Sequence, residues 1–404
     1  MRFTNALTPS PLCAPARACL ASGKEYGRCG VLSNAFDYPL EQRTFYSLLR
    51  DSGYWVAGCG KFDLHKATPH WGLDGRRSIK EWGFSDAIDN EGKWDGVQSG
   101  AVQPQGPYMA YLHERGLASL YVADLRKRVQ SGGDYQSTWP SPLPPEAYGD
   151  NWVARNGLDL MRRFPQGKPW YLVVNFVGPH DPMDVTVEMA EPWRKVKFPP
   201  PNGTDGYSQA VNDAIRQNYS AMVENIDRWL GIYLQELEKR GELENTLVMY
   251  SSDHGEMLGD HGRWGKMLPY QPSVGVPLIV AGPGVRENLV SDALVSTMDL
   301  AATFLDNGAV RRPDDMDSRS LRPLLEGRTN HHRNWVSSGL GGWRLTYDGH
   351  YKLVDGFGPA DRMNAVSKET SFSPDADRPS PLLFDLQKDS PENSPLIGTG
   401  STVE

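Results

Sequence analysis

The feature that most restricts how this chain can fold is a series of short apolar runs separated by helical segments. The runs are YWVAG (54–58), PWYLVVNFVG (169–178), NTLVMYSSD (245–253) and VPLIVAGPG (276–284). They are rich in β-branched and aromatic residues, which is typical of strands covered on both faces. Between the second and third runs, apolar residues recur at steps of three and four over 215–237, which predicts a long amphipathic helix. This alternation predicts an α/β fold with a largely parallel central sheet flanked by helices.

Two regions depart from this pattern. Residues 96–149 are rich in Gly, Pro, Gln and Ser, and we predict a surface insertion there with only brief helical patches. From about residue 315, short strand-like segments are joined by turns, which predicts a smaller antiparallel subdomain. We therefore expect a large α/β domain over 1–312 and a small C-terminal α+β subdomain over 313–404. The Ser/Pro-rich segment 367–381 is predicted to be a loop within the subdomain.

Composition argues against several classes of protein. The formal net charge of -8 is opposite to that of a general nucleic-acid binder. No apolar run is long enough to span a bilayer, and the N-terminal segment 1–12 lacks the apolar core of a signal peptide. Four cysteines, Cys13, Cys19, Cys29 and Cys59, show no CxxC spacing and do not fix the compartment.

Polar side chains follow three of the apolar runs, where each predicted strand ends. They are Lys61, Asp63 and His65 after the first run, His180 and Asp181 after the second, and Asp253, His254, Glu256 and Lys266 after the third. Because the carboxyl ends of parallel strands meet at one edge of a sheet, these groups are expected to form a site there. The mixture of lysines, histidines and carboxylates suits an anion, a metal ion or both.

Within the stretch CAPARACLASG (13–23), the residues ARACLAS (16–22) are predicted to form a short helix close to the start of the chain. Pro15 suits the first turn, where its missing N–H costs nothing, and Gly23 is a typical stop. Cys13 would then lie at the positive end of the helix dipole, with Arg17 one turn further on. Such a position both holds an anion and activates a nucleophile.

This stretch resembles the signature of the formylglycine-dependent (type I) sulfatases, members of the alkaline-phosphatase superfamily. CGKFDLHK, VGPHDP, the long segment that contains SDHGE, VPLIVAGPG and the late YKLV…LLFDLQKDSPEN resemble further family segments in the same order, from residue 2 to about 395. The resemblance implies an alkaline-phosphatase-like fold and a sulfuric ester hydrolase, which releases inorganic sulfate and an alcohol.

The resemblance also implies a role for each matching residue. Cys13 would be oxidised by a formylglycine-generating maturation enzyme, and the hydrate of formylglycine would attack the sulfur. Arg17 would balance charge around the nucleophile, and Lys61 and Lys266 would bind the sulfate oxygens. His180 would protonate the leaving alcohol.

The implied metal site consists of Asp253 and His254, with Cys13 beside them, around calcium or another divalent cation. Family members usually begin with a strand that ends in two aspartates of the metal shell. Here no acidic residue precedes Glu25, so we expect the first strand to be lacking, with weak metal binding and negligible activity for residues 1–404 alone.

A second departure concerns the usual Gly-Lys-x-His sequence, which reads GKFD over 60–63, with His65 two residues later. Either Asp63 occupies the usual histidine position or His65 reaches it, and we favour His65 as the base that acts on the hydrate.

Three functions fit these observations: a sulfate-ester hydrolase, which we favour, a phosphonate or phosphate-ester hydrolase of the same superfamily, and a catalytically incomplete chain. The expected substrate is a sulfated small molecule or carbohydrate. Candidate platforms for sugar rings are Trp82, Trp94, Trp139, Trp264 and Trp343. By resemblance the protein would be periplasmic or extracellular if a signal peptide lies upstream.

Overall fold

A computed structural model describes residues 1–131, 133–357 and 381–397. The chain forms two compact units. The first comprises Met1–Phe45, Asp63–Ala67 and Glu244–Glu404, and the second comprises Tyr46–Phe62 and Thr68–Leu243. The predicted loop over 367–381 lies almost entirely outside the described residues, and the boundary at 312/313 stays a prediction.

The second unit contains a three-stranded sheet in the order β4-β3-β5. Its strands are β3 (Trp55–Gly60), β4 (Asp86–Asp89) and β5 (Trp170–Asn175). Both pairs are parallel, with Gly60 opposite Asp89 on one side and Asn175 on the other. The carboxyl ends of all three strands therefore reach the same edge of this sheet, which the sequence predicted for β3 and β5. The third run that the prediction named, 245–253, forms its strand in another sheet, in the first unit.

The second unit also contains several α-helices. They are α2 (Phe45–Asp51, of which Phe45 belongs to the first unit), α3 (Lys93–Gly100), α4 (Pro107–Glu114), α5 (Ala118–Gln130), α6 (Gly149–Arg162), α7 (Val187–Ala190) and α8 (Gln209–Lys239). The long amphipathic helix is confirmed as α8, in which Ser208 caps the N-terminus and Ile215, Met222 and Tyr233 are buried. The expectation of only brief helical patches over 96–149 was wrong, because α4 and α5 each bury an apolar face there.

The prediction that the apolar runs are covered on both faces was also wrong in part. Every residue of β5 is partly exposed, and so is every residue of β6 (Val248–Ser251) in the first unit. In β7 (Leu278–Ala281), buried and exposed residues alternate. β5 and β6 each lie at the edge of their sheet in the described part of the chain, so neighbouring strands cover them on one side only.

The first unit contains a mixed sheet in the order β6-β7-β1-β8 and a parallel pair β2-β9. The strands not yet placed are β1 (Arg2–Phe3), β2 (Ala6–Leu7), β8 (Val290–Ser291) and β9 (Val295–Ser296). Its helices are α1 (Cys13–Ser22), α9 (Gln271–Val274), α10 (Asp299–Asn307) and α11 (Arg322–Leu325), and short 3₁₀ turns complete the chain at 145–147, 243–245 and 260–262. The predicted α/β fold is confirmed, with parallel pairs in all three of these sheets.

The predicted antiparallel strands near the C-terminus form one four-stranded sheet in the first unit. They follow one another as β10 (Val336–Leu340), β11 (Trp343–Tyr347), β12 (Tyr351–Asp355) and β13 (Leu382–Asp385). One face packs on a buried cluster that includes Leu268, Val274, Trp343, Val354 and Phe384. Among the described residues, no helix has both the length and the apolar character needed to cross a membrane.

Candidate active site

The helix that carries Cys13 and Arg17 forms where the sequence predicted. α1 begins at Cys13, after an extended Leu12 that contributes no side-chain cap, and Asn34 Oδ1 accepts the N–H of Ala14 at 3.1 Å. Gly23 ends the helix with φ 66, a left-handed conformation that favours glycine. Cys13 therefore lies buried in the first turn, at the positive end of the helix dipole.

His254 meets Cys13 directly, because the chain leaves β6 three residues earlier. Cys13 Sγ lies 3.4 Å from His254 Nε2, and His254 Nδ1 lies 2.9 Å from the carbonyl oxygen of Gly255. A carbonyl only accepts hydrogen bonds, so Nδ1 carries the proton and the lone pair of the neutral ring is on Nε2. The ring thus presents a ligand or acceptor nitrogen to Cys13.

Asp253 binds Arg17 through one oxygen and the backbone through the other. Arg17 Nε and Nη2 each lie 2.9 Å from Asp253 Oδ2, and Asp253 Oδ1 accepts the N–H of His254 at 3.0 Å. Burial by itself would lower the pKa of Arg17, but the carboxylates of Asp253 and Asp63 outweigh it, and the pKa is raised. Arg17 is therefore a fixed positive charge one turn from Cys13.

The four residues Cys13, Arg17, Asp253 and His254, which we call the nucleophile group, include a set of candidate metal ligands. Ligand atoms of Cys13, Asp253 and His254 all lie within 4.8 Å of one another. A carboxylate oxygen and an imidazole nitrogen held by a backbone carbonyl fit a divalent cation. Calcium takes about six to eight ligands, so these residues account for part of a shell.

Lys266 lies in a loop of the first unit whose ends are held by hydrogen bonds. Glu256 Oε1 accepts the N–H of Gly265 at 2.7 Å, next to Lys266, and the N–H of Met267 donates to the carbonyl oxygen of Pro11 at 3.0 Å. Lys266 is half-buried. The backbone on both sides of this lysine is therefore fixed, and one attachment leads to the segment that precedes Cys13.

Asp63 and His65 also belong to the first unit. Asp63 is buried at a positive φ of 54 and forms an ion pair with Lys66 at 3.4 Å. Its charge also acts on Arg17. His65 is half-buried. The choice of His65 as the base stays a prediction.

The other two predicted residues lie in the second unit. Lys61 follows β3, where its N–H donates to the carbonyl oxygen of Asn175 at 3.1 Å, and its side chain is buried. His180 Nδ1 lies 2.8 Å from the carbonyl oxygen of Asp181 and 3.0 Å from Asp181 Oδ1. Because Nδ1 is thereby the protonated donor, a proton given to a substrate has to come from Nε2.

The side chains of Lys93 and Asp150 hold the backbone of residues 176–184, which we call the His180 loop. Lys93 Nζ donates to the carbonyl oxygens of His180 (2.7 Å) and Pro182 (3.0 Å) and to Asp184 Oδ1 (2.6 Å). Asp150 Oδ1 accepts the N–H groups of Val177 (2.8 Å) and Gly178 (3.1 Å). The sequence analysis missed Lys93, Asp150 and Asp184, because they are far apart in the chain and share no spacing motif.

The five candidate tryptophans fall into different environments. Trp82 and Trp343 are fully buried in the core and are packing residues. Trp139 donates to Asp124 Oδ1 at 2.8 Å. Trp94 donates to Asp181 Oδ2 at 3.4 Å and so contacts the residue beside His180, and Trp264 is partly exposed.

The sequence is similar to a known protein family and to curated members of it. A family model described as "Sulfatase" matches residues 1–308. The arylsulfatase of Clostridium perfringens is 26% identical over 425 residues, which cover 98% of this chain and 82% of that protein. The N-acetylglucosamine-6-O-sulfatase of Bacteroides thetaiotaomicron is 26% identical over 386 residues, which cover 83% of this chain and 66% of that protein.

Solved structures share the fold at lower sequence identity. The phosphonate monoester hydrolase of Agrobacterium radiobacter superposes with a TM-score of 0.75 at 20% identity, covering 98% of this chain and 84% of that one. This likeness concerns the fold alone.

Proposed function

The chain belongs to the sulfatase family and is a sulfuric ester hydrolase, and on that premise we propose that its nucleophile is made from Cys13. The observation that supports this most is the surroundings of the thiol. Cys13 lies in the first turn of α1, 3.4 Å from His254 Nε2 and one turn from the Arg17–Asp253 pair. A helix N-terminus and a fixed guanidinium both stabilise an oxyanion at this position.

Oxidation of Cys13 by a formylglycine-generating enzyme would give an aldehyde, and the hydrate of this aldehyde is a geminal diol. One hydroxyl would attack the sulfur, and the other would then re-form the aldehyde and expel sulfate. A divalent cation, calcium by our expectation, would be held by Asp253 and His254 and would supply Lewis-acid polarisation of the sulfate group. Arg17 orients Asp253, because two of its three guanidinium nitrogens contact the same carboxylate oxygen.

The remaining residues are assigned to the sulfate group and the leaving alcohol. Lys61 and Lys266 bind sulfate oxygens as point charges. Their ammonium groups donate hydrogen bonds to the three non-bridging oxygens, which share the negative charge of the ester. His180 gives its Nε2 proton to the alcohol oxygen, while Asp181 Oδ1, 3.0 Å from Nδ1, forms an ion pair with the ring when it carries both protons. His65 accepts the proton of the second hydroxyl, and loss of this proton expels sulfate.

The substrate that we favour is a sulfated carbohydrate. One curated relative is named as an N-acetylglucosamine-6-O-sulfatase. In this chain Trp94 contacts Asp181 and is partly exposed. An aromatic ring therefore lies beside Asp181, the neighbour of the proposed acid His180. Aromatic faces with nearby hydrogen-bonding groups suit sugar rings.

The experiment that tests the nucleophile follows an aldehyde on Cys13. After co-expression with a formylglycine-generating enzyme, the peptide that contains Cys13 should react with hydrazide reagents. Any turnover of sulfate esters should require calcium in large excess, because we expect residues 1–404 to bind the metal weakly. Cys13→Ala should abolish labelling and turnover together, whereas Cys59→Ala, at another buried cysteine, should leave labelling intact. Labelling or turnover that persists in Cys13→Ala would refute the assignment.

The same preparation separates the two ester classes. Initial rates on nitrophenyl sulfate and on nitrophenyl phosphate esters are compared at equal concentration. We expect the sulfate ester to react faster. A higher kcat/KM for phosphate or phosphonate esters would instead favour the alternative within the superfamily.

A further inference from the structure

A buried ion pair connects the C-terminal sheet to the loop of Lys266. Lys352 is in β12 and Glu392 lies beyond β13, and both side chains are completely buried. In β12 buried and exposed residues alternate, so that Lys352 and Val354 face the core while Tyr351 and Leu353 face solvent. A lysine thus occupies a core position that an apolar residue would ordinarily fill.

Both members of the pair also bind the backbone of the segment that follows Lys266. Lys352 Nζ donates to the carbonyl oxygen of Pro269 at 2.8 Å and lies 3.5 Å from Gln271 Oε1. Glu392 Oε2 accepts the N–H of Gln271 at 2.5 Å. Lys352 therefore holds the backbone at Pro269 and Glu392 holds it at Gln271, three and five residues after Lys266.

The backbone around these attachments is held in unusual conformations. Met267 has a φ of 79 and Glu392 a φ of 62, and neither is glycine. Conformations of this kind are costly for residues other than glycine and persist only where the surroundings impose them. Leu268, between Lys266 and Pro269, is buried in the same cluster as Val354 and Val274, so the segment is packed as well as hydrogen-bonded.

Stability alone is a weak reason for such a pair. Moving two charged side chains out of water costs free energy, whereas burying apolar side chains of similar volume does not. A protein with a buried ion pair is therefore often no more stable than the same protein with an apolar pair in its place. Burial lowers the pKa of Lys352, and the carboxylate of Glu392 opposes that change. What an apolar pair cannot replace are the bonds to Pro269 and Gln271.

We propose that Lys352 and Glu392 are positioning residues, which fix the segment 266–271 so that the ammonium group of Lys266 is held where it binds a sulfate oxygen. This rests on the proposed function in so far as Lys266 is assigned to sulfate. The pair acts through the backbone and does not touch the substrate.

The test uses three variants of the full chain: Lys352→Met, Glu392→Leu and the double variant. Hydrogen exchange of the amides over 266–273, the affinity for inorganic sulfate and the Tm are measured for each. Either single substitution leaves a buried charge unpaired and should lower the Tm. The double variant has no unpaired charge, so its Tm should return towards that of the wild type.

Exchange and sulfate affinity should not recover with the Tm. In the double variant neither Pro269 nor Gln271 has its side-chain partner, so the amides over 266–273 should still exchange faster than in the wild type. Sulfate should bind about 10- to 100-fold more weakly, the effect expected of a displacement of about 1 Å in a binding group. If the double variant regains exchange protection and sulfate affinity with its Tm, the pair is only structural and the proposal is wrong.

Two controls complete the experiment. Arg333→Met breaks another buried pair of the first unit, in which Arg333 Nε lies 2.9 Å from Asp299 Oδ2, and should lower the Tm without changing exchange over 266–273. Lys266→Ala should weaken sulfate binding without changing the exchange of Gln271. If Lys266→Ala binds sulfate as the wild type does, the role of Lys266 in the proposed function fails, while the exchange data still decide whether the pair fixes the segment.

Discussion

Around Cys13 the charged side chains mainly contact one another, whereas the charged side chains that hold the His180 loop mainly contact its backbone. In the nucleophile group, Arg17 binds Asp253 and His254 Nε2 faces Cys13 Sγ. In the His180 loop, Lys93 and Asp150 bind main-chain carbonyl and N–H groups, and His180 itself contacts its neighbour Asp181. The first arrangement sets the charge at a reacting atom, and the second sets the position of a loop.

The difference in exposure supports this distinction. The side chains of Arg17 and Asp253 are 15% and 20% exposed, against 10% and 4% for Lys93 and Asp184. Removing the partner of a charge costs less stability when that charge is near solvent than when it is deeply buried. Substitutions in the nucleophile group should therefore act mainly on chemistry, and those beneath the His180 loop mainly on stability.

The largest effect is expected from a matched pair of substitutions, Lys93→Met and Arg17→Met. Lys93→Met leaves Asp184 buried without its cation and should lower the free energy of unfolding by about 3–5 kcal/mol, measured by urea denaturation. Arg17→Met should lower it by much less and reduce turnover by about 10²–10³-fold. Equal losses of stability in the two variants would remove the distinction between the two regions.

A pH-dependent effect is expected at Glu91, a buried carboxylate of the second unit whose Oε1 accepts the N–H of Met109 at 2.8 Å. Burial, followed by the charge of Asp89, raises the pKa of Glu91 from 4.5 to about 7. Since the folded state holds this proton more tightly, stability falls as the pH rises from about 4.5 to about 7.

Glu91→Gln keeps an acceptor for Met109 and cannot ionise. It should match the wild type at pH 4 and be more stable by about 3 kcal/mol at pH 8, measured by denaturation at both values. Glu188→Gln, at an exposed position, should show no such difference. A wild type as stable as Glu91→Gln at pH 8 would mean that Glu91 ionises there without cost.

The smallest effect, and the one most specific to chemistry, is expected from His180→Ala. Protonation matters most for poor leaving groups, so turnover of an alkyl sulfate should fall by about 10²-fold, and that of nitrophenyl sulfate only a few-fold. Unequal losses would confirm the acid role, and equal losses would exclude it. His65→Ala should instead slow the release of sulfate, and if it is silent while Asp63→Ala is not, Asp63 is the base.

The sequence alone was sufficient wherever the determining interactions are local. The start of α1 at Cys13, the turn that separates it from Arg17 and the stop at Gly23 follow from a proline, a helical repeat and a glycine within eleven residues. The four strands of the C-terminal sheet were predicted because each pairs with the strand next in sequence. The fold class followed from the alternation of strands and helices.

Tertiary structure decided what depends on residues far apart in the chain. The composition of β5 predicted burial on both faces, but its place at the edge of the sheet decided its exposure. In the sequence YKLVD (351–355), hydrophobicity favours Tyr351 and Leu353 as core residues, yet the structure buries Lys352 instead. The burial of Lys352 is stabilised by its ion pair with Glu392 and its hydrogen bond to the carbonyl oxygen of Pro269. Local patterns specify helix ends and strand pairing, whereas the stability of a buried charge depends on which distant groups the fold places beside it.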